Sequence, residues 1–218
     1  MFKPAIPKSV YLYDEGVKGI DFKKIEDFIT KNFGKIPVHI ARLRHKAVQT
    51  HGLILNLAGT ERAFRGLEFS RRKESCHIIL TTKLFATPDE FCRPHIRASS
   101  YGSPSIISLS GIVEGPAKPR EYYQYKQKYS RLGVWQIEEP EIRNKFKGRF
   151  IDYGDKRLTG VVNGYIAQAL FYFITGKPFC LRKACRLYNS HWQKDLIFSQ
   201  IKKARFCAFH KSLLKRLP

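Results

Sequence analysis

Hydrophobic positions in the first part of the chain change from a strand period to a helical period and back. Residues 10–13 form a short apolar run, which predicts a first strand. Asp21 then precedes apolar residues at helical spacing, so we expect it to cap a helix that ends at Gly34. Residues 38–43 alternate between apolar and polar side chains and predict a second strand. This order of elements predicts a β-α-β start.

The middle of the chain predicts further strands and helices, joined by turns rich in Gly, Pro and Ser. The predicted strands are residues 76–81, continued by residues 83–85, and then residues 95–99 and residues 105–113. Helical segments are predicted in part of residues 48–69 and over residues 120–132, with a loop at residues 133–140. A cluster of basic side chains at residues 42–46 follows the second strand.

The longest helical pattern in the chain opens at Asp155, which we expect to cap it, and stops at Gly176. Apolar residues recur there at i, i+3, i+4 and i+7, as in a helix that faces a core. Gly160 and Gly164 lie four residues apart on one face, which would let another element approach closely. Residues 194–203 predict a last short helix.

Two pairs of potential metal ligands lie near the C-terminal end of the sequence. Four residues separate Cys180 from Cys185, two separate Cys207 from His210, and twenty-one lie between the pairs. Two ligand pairs with a spacer are the usual arrangement of a structural zinc site, and four protein ligands leave no open position for chemistry. His191 lies in the same stretch and could replace His210 as the fourth ligand. The alternative is a group of buried cysteines without a metal.

The charge balance of the chain indicates an anionic partner. There are 40 Lys and Arg against 18 Asp and Glu, a formal net charge of +22. Residues 141–218 hold seventeen of these bases and four of the acids. A thermophilic type of surface would balance its bases with Glu, which is scarce here. We therefore expect nucleic acid as the partner, in the form of RNA or a ribonucleoprotein.

Three groups of basic residues are candidates for contacts with a phosphate backbone, which requires charge more than base recognition. A solvated surface would explain the same groups. The candidates are Arg143, Lys145, Lys147 and Arg149, which alternate along a predicted extended stretch, Arg182, Lys183 and Arg186 on the metal loop, and Lys202, Lys203 and Arg205 before its second half. Three tyrosines could stack on unpaired bases, although ordinary helix packing is the favoured interpretation; they are Tyr122, Tyr123 and Tyr125.

The sequence from about residue 75 onward resembles the archaemetzincins, a metzincin-like group of zinc metallopeptidases. Their signature is HExxHxxGxxH, followed by CxxxxCxM and then CxxC. Gly176 and three cysteines match this signature, His210 stands where the last cysteine would be, and Leu187 occupies the methionine position. The segments at residues 77–84 and 105–110 resemble the two strands before the active-site helix. Residues 150–153, 186–189 and 191–193 also resemble an uncharacterised archaeal family assigned as metallopeptidases.

This resemblance implies an α+β fold with a mixed sheet covered by helices, a long central helix and a C-terminal zinc-bound lobe. Residues 1–178 would form the metzincin-like domain, and residues 179–218 would form a structural-zinc subdomain packed on it.

The catalytic positions of the signature carry other residues in this sequence. The three histidine positions fall on Ala169, Phe173 and Phe179, and the glutamate position falls on Leu170. None of these side chains can bind zinc or move a proton, and we expect the two phenylalanines to fill the cavity. A shift of register restores nothing, because no histidine lies within residues 96–190. The resemblance therefore implies a metallopeptidase fold that has lost its catalytic zinc.

Two other functions stay open from the sequence. One is an active zinc metallopeptidase with unconventional ligands, and the other is a protein-interaction module that docks partners in the filled cleft. The spacing of the possible ligands indicates no site; they are His95, His191, Asp152, Asp155 and Glu121. The sequence has neither a GxSxG motif nor a phosphate-binding glycine loop, so serine hydrolase and nucleotide-hydrolysing chemistry are not expected.

The sequence also sets expectations for location and cofactors. It shows no signal peptide and no apolar run judged long enough to span a bilayer, so we expect a cytoplasmic protein without a membrane partner. Thiols stay reduced in that compartment, which favours metal over disulfides at the cysteine cluster. Structural zinc is the expected metal, and no small-molecule cofactor is evident.

Overall fold

The computed structural model describes residues 6–43, 46–65 and 74–216, which form a mixed α+β fold as expected from the sequence. Two predicted segments are only partly covered. Residues 44 and 45 of the basic cluster and residues 66–69 of the predicted helical region lie outside the described residues.

The elements follow one another in an order that alternates strands and helices and then becomes wholly helical. They are β1 (Ser9–Asp14), α1 (Phe22–Phe33), β2 (Val38–Arg42), β3 (Thr50–His51), β4 (Ile54–Leu55), α2 (Leu57–Arg65), β5 (Ser75–Thr81), β6 (Phe85–Pro88), β7 (Pro94–Arg97), β8 (Ser99–Ser100), β9 (Ser105–Ser108), α3 (Leu109–Glu114), α4 (Arg120–Arg131), α5 (Trp135–Lys145), α6 (Leu158–Thr175), α7 (Gln193–Ile197), a π-helix (Phe198–Lys203) and α8 (Ala208–Lys215).

The main sheet has five strands in the order β2-β1-β5-β9-β8. The first four are mutually parallel, and β8 runs antiparallel to β9. The predicted β-α-β start is confirmed, because β1 and β2 pair in parallel across α1. Asp21 caps α1 by accepting from the backbone N of Lys24 at 3.1 Å, and Gly34 ends the helix with φ +93°. A smaller mixed sheet has the order β3-β4-β6-β7.

Alternation along the central strands separates two hydrophobic cores. Val10 and Leu12 of β1 face the main core with α1 and α6, whereas Tyr11 and Tyr13 face a second core that includes Phe64 of α2. Successive side chains of a strand point to opposite faces, so a fully apolar strand can supply both cores. The main sheet is therefore a middle layer between helices α1 and α6 on one side and α2 with the smaller sheet on the other.

Helix α6 is the central element of the main core, as predicted. Gly176 ends it in the left-handed conformation with φ +71°. Asp155 does not cap it: the helix begins at Leu158, and the Asp155 carboxylate instead binds the backbone N of Arg157 at 2.8 Å and its guanidinium. By length and composition alone α6 could cross a membrane, so the expectation of no such run was too strong. However, 67% of it is buried inside the fold, as in the core helix of a globular domain.

The close approach predicted at Gly160 and Gly164 is confirmed. A Cβ at Gly164 would lie 1.8 Å from Oε1 of Gln200, and one at Gly160 would lie 3.0 Å from Cδ1 of Ile201. The element that approaches is the π-helix, and a side chain at position 164 would have to displace the amide of Gln200.

Two strands predicted in the middle of the chain were too long. Residues 83–85 do not continue β5, because the backbone N of Lys83 donates to Oγ1 of Thr81 at 3.0 Å and turns the chain towards the smaller sheet. Residues 109–113 form α3 rather than a strand, since Ser108 Oγ accepts from the backbone N of Gly111 at 2.9 Å and caps a helix.

The predicted loop at residues 133–140 belongs mostly to α5, and Pro140 lies inside that helix. The helix packs on α4 through a small third core of Tyr122, Ile142, Phe146 and Phe150. Tertiary packing thus outweighs the helix-breaking tendency of proline. The final helix α8 had no counterpart in the sequence-based prediction.

Residues on both sides of position 178 share the main core. Cys185, Leu187 and Phe206 lie in one apolar cluster with Phe33 of α1 and Phe171 of α6. The C-terminal segment is therefore packed on the rest of the fold, while the proposed division at residues 178 and 179 stays a prediction.

Candidate metal centre and basic surfaces

Four side chains with metal-binding atoms meet beyond the C-terminal end of α6. The sulfurs of Cys180, Cys185 and Cys207 and a ring nitrogen of His210 all lie within 4.8 Å of one another. These are the four residues that the sequence spacing selected. The cluster brings together two segments that are twenty-one residues apart in the chain.

Backbone hydrogen bonds shape the loop that carries the first pair of cysteines. The N of Cys180 donates to the O of Leu187 at 2.9 Å, and the N of Cys185 donates to the O of Arg182 at 2.9 Å, so the loop closes on itself. Next to it, the N of Arg186 donates to the O of Arg205 at 2.8 Å. That bond holds the first loop against the segment that leads to Cys207.

The second pair uses the start of a helix. Cys207 directly precedes α8 and His210 lies in its first turn, so a spacing of three residues places both side chains on one face. Nδ1 of His210 lies 3.1 Å from the sulfur of Cys207 and 3.7 Å from that of Cys185. Bonds of about 2.3 and 2.0 Å at a tetrahedral angle would separate such atoms by about 3.6 Å. The donor set and its spacing therefore fit zinc.

The pKa values in the cluster show which side chains must lose a proton when a metal binds. Burial raises the pKa of Cys185 to about 12, so without a metal this thiol keeps its proton. Burial alone would raise the pKa of Cys207, but hydrogen bonds from the His210 backbone and the neighbouring thiols lower it. Burial and the nearby charge of Arg182 lower the pKa of His210, which is therefore neutral and able to bind a metal at neutral pH.

The structure decides between the two candidate histidines. His210 is 8% exposed, lies among the thiols and packs edge-on against Phe171 at 5.1 Å between centroids. His191 lies elsewhere, on the wall of a separate small cavity. With two ligands buried and four protein side chains within reach of one ion, the arrangement suits a structural metal.

The four positions that match the catalytic residues of the peptidase signature do not form an open site. Ala169 and Leu170 are fully buried in the main core, and Phe173 is half-buried. Phe179 is 45% exposed, so the expectation that it fills a closed cavity was wrong. Its ring instead lies edge-on to Tyr101, at 5.7 Å between centroids. The chain leaves α6 at Gly176, which carries Phe179 to the surface.

A cavity of about 120 Å³ lies beside Phe179 and contains two of the five possible unconventional ligands, His95 and His191. Burial and the charges of Arg97 and His191 lower the pKa of His95.

The three carboxylates proposed with these histidines lie outside this cavity and are bound to arginines. Asp152 binds Arg143 at 2.6 Å, Asp155 binds Arg157 at 2.6 Å and Glu121 binds Arg149 at 3.4 Å. Over the described ranges, the Cys/His cluster is the one group of three or more metal-ligating side chains.

The first group of candidate basic residues does not lie on an extended stretch. Arg143 and Lys145 belong to α5, and Lys147 and Arg149 follow in turns, so the predicted alternation on one face was wrong. Arg143 binds the carboxylates of three residues at 2.6 to 3.2 Å and is 21% exposed. Its partners are Glu114, Glu139 and Asp152. This arginine therefore stabilises the fold, whereas Lys145 and Lys147 are exposed.

The other two groups are mostly on the surface. Arg186 is the exception: it is 7% exposed and donates to the backbone oxygens of Gly160 and Ala204 at 3.2 and 3.0 Å. Burial lowers its pKa to about 10. We therefore leave Arg186 out of the candidate RNA contacts. The exposed members are Arg182, Lys183, Lys202, Lys203 and Arg205.

Packing separates the three tyrosines of α4. Tyr122 is 3% exposed in the third core, so its ring is not available to a nucleic-acid base. Tyr123 is 43% exposed, and Tyr125 stacks on Tyr129 with 6.4 Å between centroids. The favoured interpretation as helix packing is confirmed for Tyr122.

Sequence reasoning missed several exposed side chains that lie near the candidate basic residues. Trp192 is 46% exposed, and Lys194 lies over its ring at 5.7 Å. Arg120 and Lys156 are also exposed and lie outside the three candidate groups. A tryptophan two residues before a lysine was the signal that the sequence offered.

Comparison with known proteins places the chain within one family. The model of a family described as "Probable metallopeptidase family (DUF6775)" matches residues 61–217, which is more than half of the chain. The matched region includes α6 and the whole Cys/His cluster. No curated protein and no solved structure matches the chain.

Proposed function

The chain belongs to this metallopeptidase family, and from that premise we propose that it is an archaemetzincin-like member without catalytic zinc, which binds RNA or a ribonucleoprotein in the cytoplasm. A structural zinc held by Cys180, Cys185, Cys207 and His210 stabilises its C-terminal segment. Zinc supplies no chemistry there, because four protein ligands fill its coordination.

The loss of activity rests on one observation: the positions of the first zinc ligand and of the general base on α6 carry Ala169 and Leu170, both fully buried. A catalytic zinc needs three ligands, a general base and an open position for water. Buried alkyl side chains offer none of these. The same two residues contribute instead to the apolar core that holds α6 on the sheet.

Metal content per chain tests the zinc assignment. We expect about one zinc per chain after purification without added metal, as for a closed structural site. The double change Cys180→Ser and Cys185→Ser should abolish it, whereas Cys92→Ser, at an exposed cysteine outside the cluster, should leave it unchanged. A protein that holds no zinc would contradict the assignment.

RNA binding draws on the charge of the molecule and on its free cations. The formal net charge is +22, and Lys202, Lys203 and Arg205 are exposed with no carboxylate within 4.0 Å in the described part of the chain. We expect binding of unstructured RNA that weakens steeply with salt. Fluorescence anisotropy with a labelled RNA measures it, and an affinity that stays unmeasurable at low salt would contradict this part of the proposal.

A second candidate, an active zinc metallopeptidase with unconventional ligands, is favoured by the cavity that His95 and His191 share beside Phe179. Hydrolysis of a peptide library that a chelator abolishes and zinc restores would support it. The double change His95→Ala and His191→Ala should then remove the activity and one of two bound zincs. A single zinc that depends wholly on Cys180 and Cys185, with no hydrolysis, would exclude this candidate.

A further inference from the structure

Two cavities adjoin on the side of the molecule formed by α4, the segment before α6, and α7 with the π-helix. Each has a volume of about 640 Å³, and Gly148 and Arg157 line both. Sites for small organic ligands span roughly 300–1,000 Å³, so each cavity has room for one nucleotide unit. We call this pair of cavities, joined at Gly148 and Arg157, the basic groove.

The basic groove is lined by nine Lys or Arg side chains and three carboxylates. The carboxylates are Glu121, Asp152 and Asp155, and each binds an arginine of the groove wall. Five cations have no carboxylate within 4.0 Å anywhere in the residues that the structure describes, and all five are exposed. They are Arg120, Lys147, Lys156, Lys194 and Lys202. The groove therefore has uncompensated positive charge along its length.

Each cavity also has one exposed aromatic side chain. Trp192 is 46% exposed on the wall of the first cavity, and Tyr153 is 58% exposed on the wall of the second. A basic groove with separated aromatic rings is the arrangement that binds single-stranded nucleic acids, in which bases stack on the rings and phosphates follow the cations.

The backbone around Trp192 is fixed in place. The N of Ala117 donates to the O of His191 at 2.7 Å, and the N of Gln193 donates to the O of Ala117 at 2.8 Å. The side chain of Gln193 is fully buried and binds the N of Ile151 at 3.0 Å. The ring of Trp192 is thus presented by a rigid segment, which lowers the entropic cost of stacking.

The junction of the two cavities is also held by hydrogen bonds. The guanidinium of Arg157 donates to the O of Gly148 at 3.0 Å and to the O of Phe150 at 2.8 Å. Gly148 has φ +82°, and nothing lies within 4 Å of a Cβ built there, so the junction is open to solvent. A strand that crosses it meets a fixed backbone that carries no side chain at position 148.

We infer that the basic groove binds single-stranded nucleic acid, with bases on Trp192 and Tyr153 and phosphates on the five free cations. This inference rests on the proposed RNA binding and gives it a site. The observations favour single strands because a duplex hides the faces of its bases. They favour nucleic acid over an acidic peptide because carboxylates need the cations but not two exposed rings.

Fluorescence of Trp192 tests the stacking contact directly. Trp135→Phe leaves Trp192 as the one tryptophan and keeps an aromatic ring against Tyr122, which lies 5.8 Å from the Trp135 ring. In this background, an oligouridylate of about twelve nucleotides should quench the emission. Trp192→Leu and Tyr153→Leu should each weaken binding about 5- to 100-fold, since stacking contributes that range per base, while Trp192→Phe should cost less.

A matched pair of charge changes tests the cations. Lys194→Gln with Lys202→Gln removes two charges from the groove, and Lys31→Gln with Lys35→Gln removes two exposed charges outside it. We expect the groove pair to weaken binding of the oligouridylate at least about tenfold and the control pair to weaken it less than about threefold. Thermal unfolding of both double variants at the same midpoint as the original protein would show that the fold is intact.

The outcomes distinguish a failure of the groove assignment from a failure of the proposed RNA binding. Wild-type protein that binds no RNA at low salt overturns both. RNA binding that is insensitive to the groove changes and lost when Arg182 and Lys183 become Gln leaves the function standing and overturns the groove. Equal affinity for duplex and single-stranded RNA overturns the assignment to single strands. Polyglutamate that binds as tightly as RNA, with the same losses in the groove variants, overturns the assignment to nucleic acid. Quenching together with both sets of losses supports the inference.

Discussion

His210 and His191 illustrate how the surroundings of a side chain determine its role. His210 lies in the first turn of α8, with its Nδ1 3.1 Å from the Cys207 sulfur, and burial keeps it neutral by lowering its pKa. His191 is exposed and lines the small cavity beside Phe179. Both residues lie within the same stretch of sequence, so spacing alone could not separate them.

Replacement of each histidine should therefore have different consequences. His210→Ala should lower the zinc content to well below one per chain and destabilise the fold by more than about 3 kcal/mol, as is usual when a structural metal is lost. His191→Ala should keep the metal and change stability by less than about 0.5 kcal/mol, because it is an exposed side chain. Metal analysis and denaturant unfolding measure both effects, and zinc loss in His191→Ala alone would reverse the assignment.

The protonation of the cluster leads to a pH dependence of zinc affinity. Zinc binds thiolates, and burial raises the pKa of Cys185 to about 12 in the metal-free protein, so binding must release its proton at neutral pH. Affinity should therefore rise with pH, by at least about tenfold per unit between about pH 6 and 8. Competition with a chromophoric chelator at several pH values checks this. A flat profile would mean that the metal binds without these thiols.

At the scale of elements, α6 and the π-helix approach closely at two glycines, Gly160 and Gly164. Gln200 is 2% exposed, and its Nε2 donates to the O of Arg186 at 2.7 Å. Its Oε1 would lie 1.8 Å from a Cβ at position 164. The π-helix thus links α6 to the segment between the two halves of the metal cluster.

Gly164→Ala should consequently destabilise the protein, although alanine favours helices. The new methyl group must displace the buried Gln200 amide, so we expect a loss of roughly 1–3 kcal/mol. Gly160→Ala is the matched change, because its Cβ would lie 3.0 Å from the flexible end of Ile201. That variant should stay within about 1 kcal/mol of the original protein. Urea unfolding measures the difference, and equal stability of the two variants would contradict the tight contact.

At the scale of the whole molecule, the net charge of +22 overstates the positive charge that is available to bind an anionic partner. Arg143 is held by three carboxylates, Arg157 binds Asp155 and backbone oxygens, and Arg186 is buried. A partner therefore meets fewer cations than the sequence suggests. In the basic groove, five of the nine are free of carboxylate partners in the described residues.

The salt dependence of RNA binding should reflect that smaller number. For single strands the slope of log K against log salt is about −0.7 per phosphate neutralised, so five contacts give about −3.5. Between about 50 and 200 mM salt the affinity should fall roughly a hundredfold. Anisotropy titrations across this range measure the slope. A value near zero would exclude phosphate contacts, and a value twice as steep would place the binding surface well beyond the groove.

The sequence by itself determined the features that depend on neighbours along the chain. The β-α-β start, the end of α6 at Gly176 and the two pairs of candidate metal ligands all follow from short spacings, because caps, turns and metal loops are local geometry. Even so, local rules misjudged α5, since its packing on α4 outweighs the effect of Pro140.

Only the tertiary structure decided which side chains are free and which meet. In the structure Arg186 is buried, and Arg143 binds three carboxylates. His95 and His191 line the same cavity. The fold also joins Arg120, Trp192 and Lys156, which are distant in sequence, into the basic groove. Such contacts depend on how separate elements pack, and nothing in the local spacing of residues encodes them.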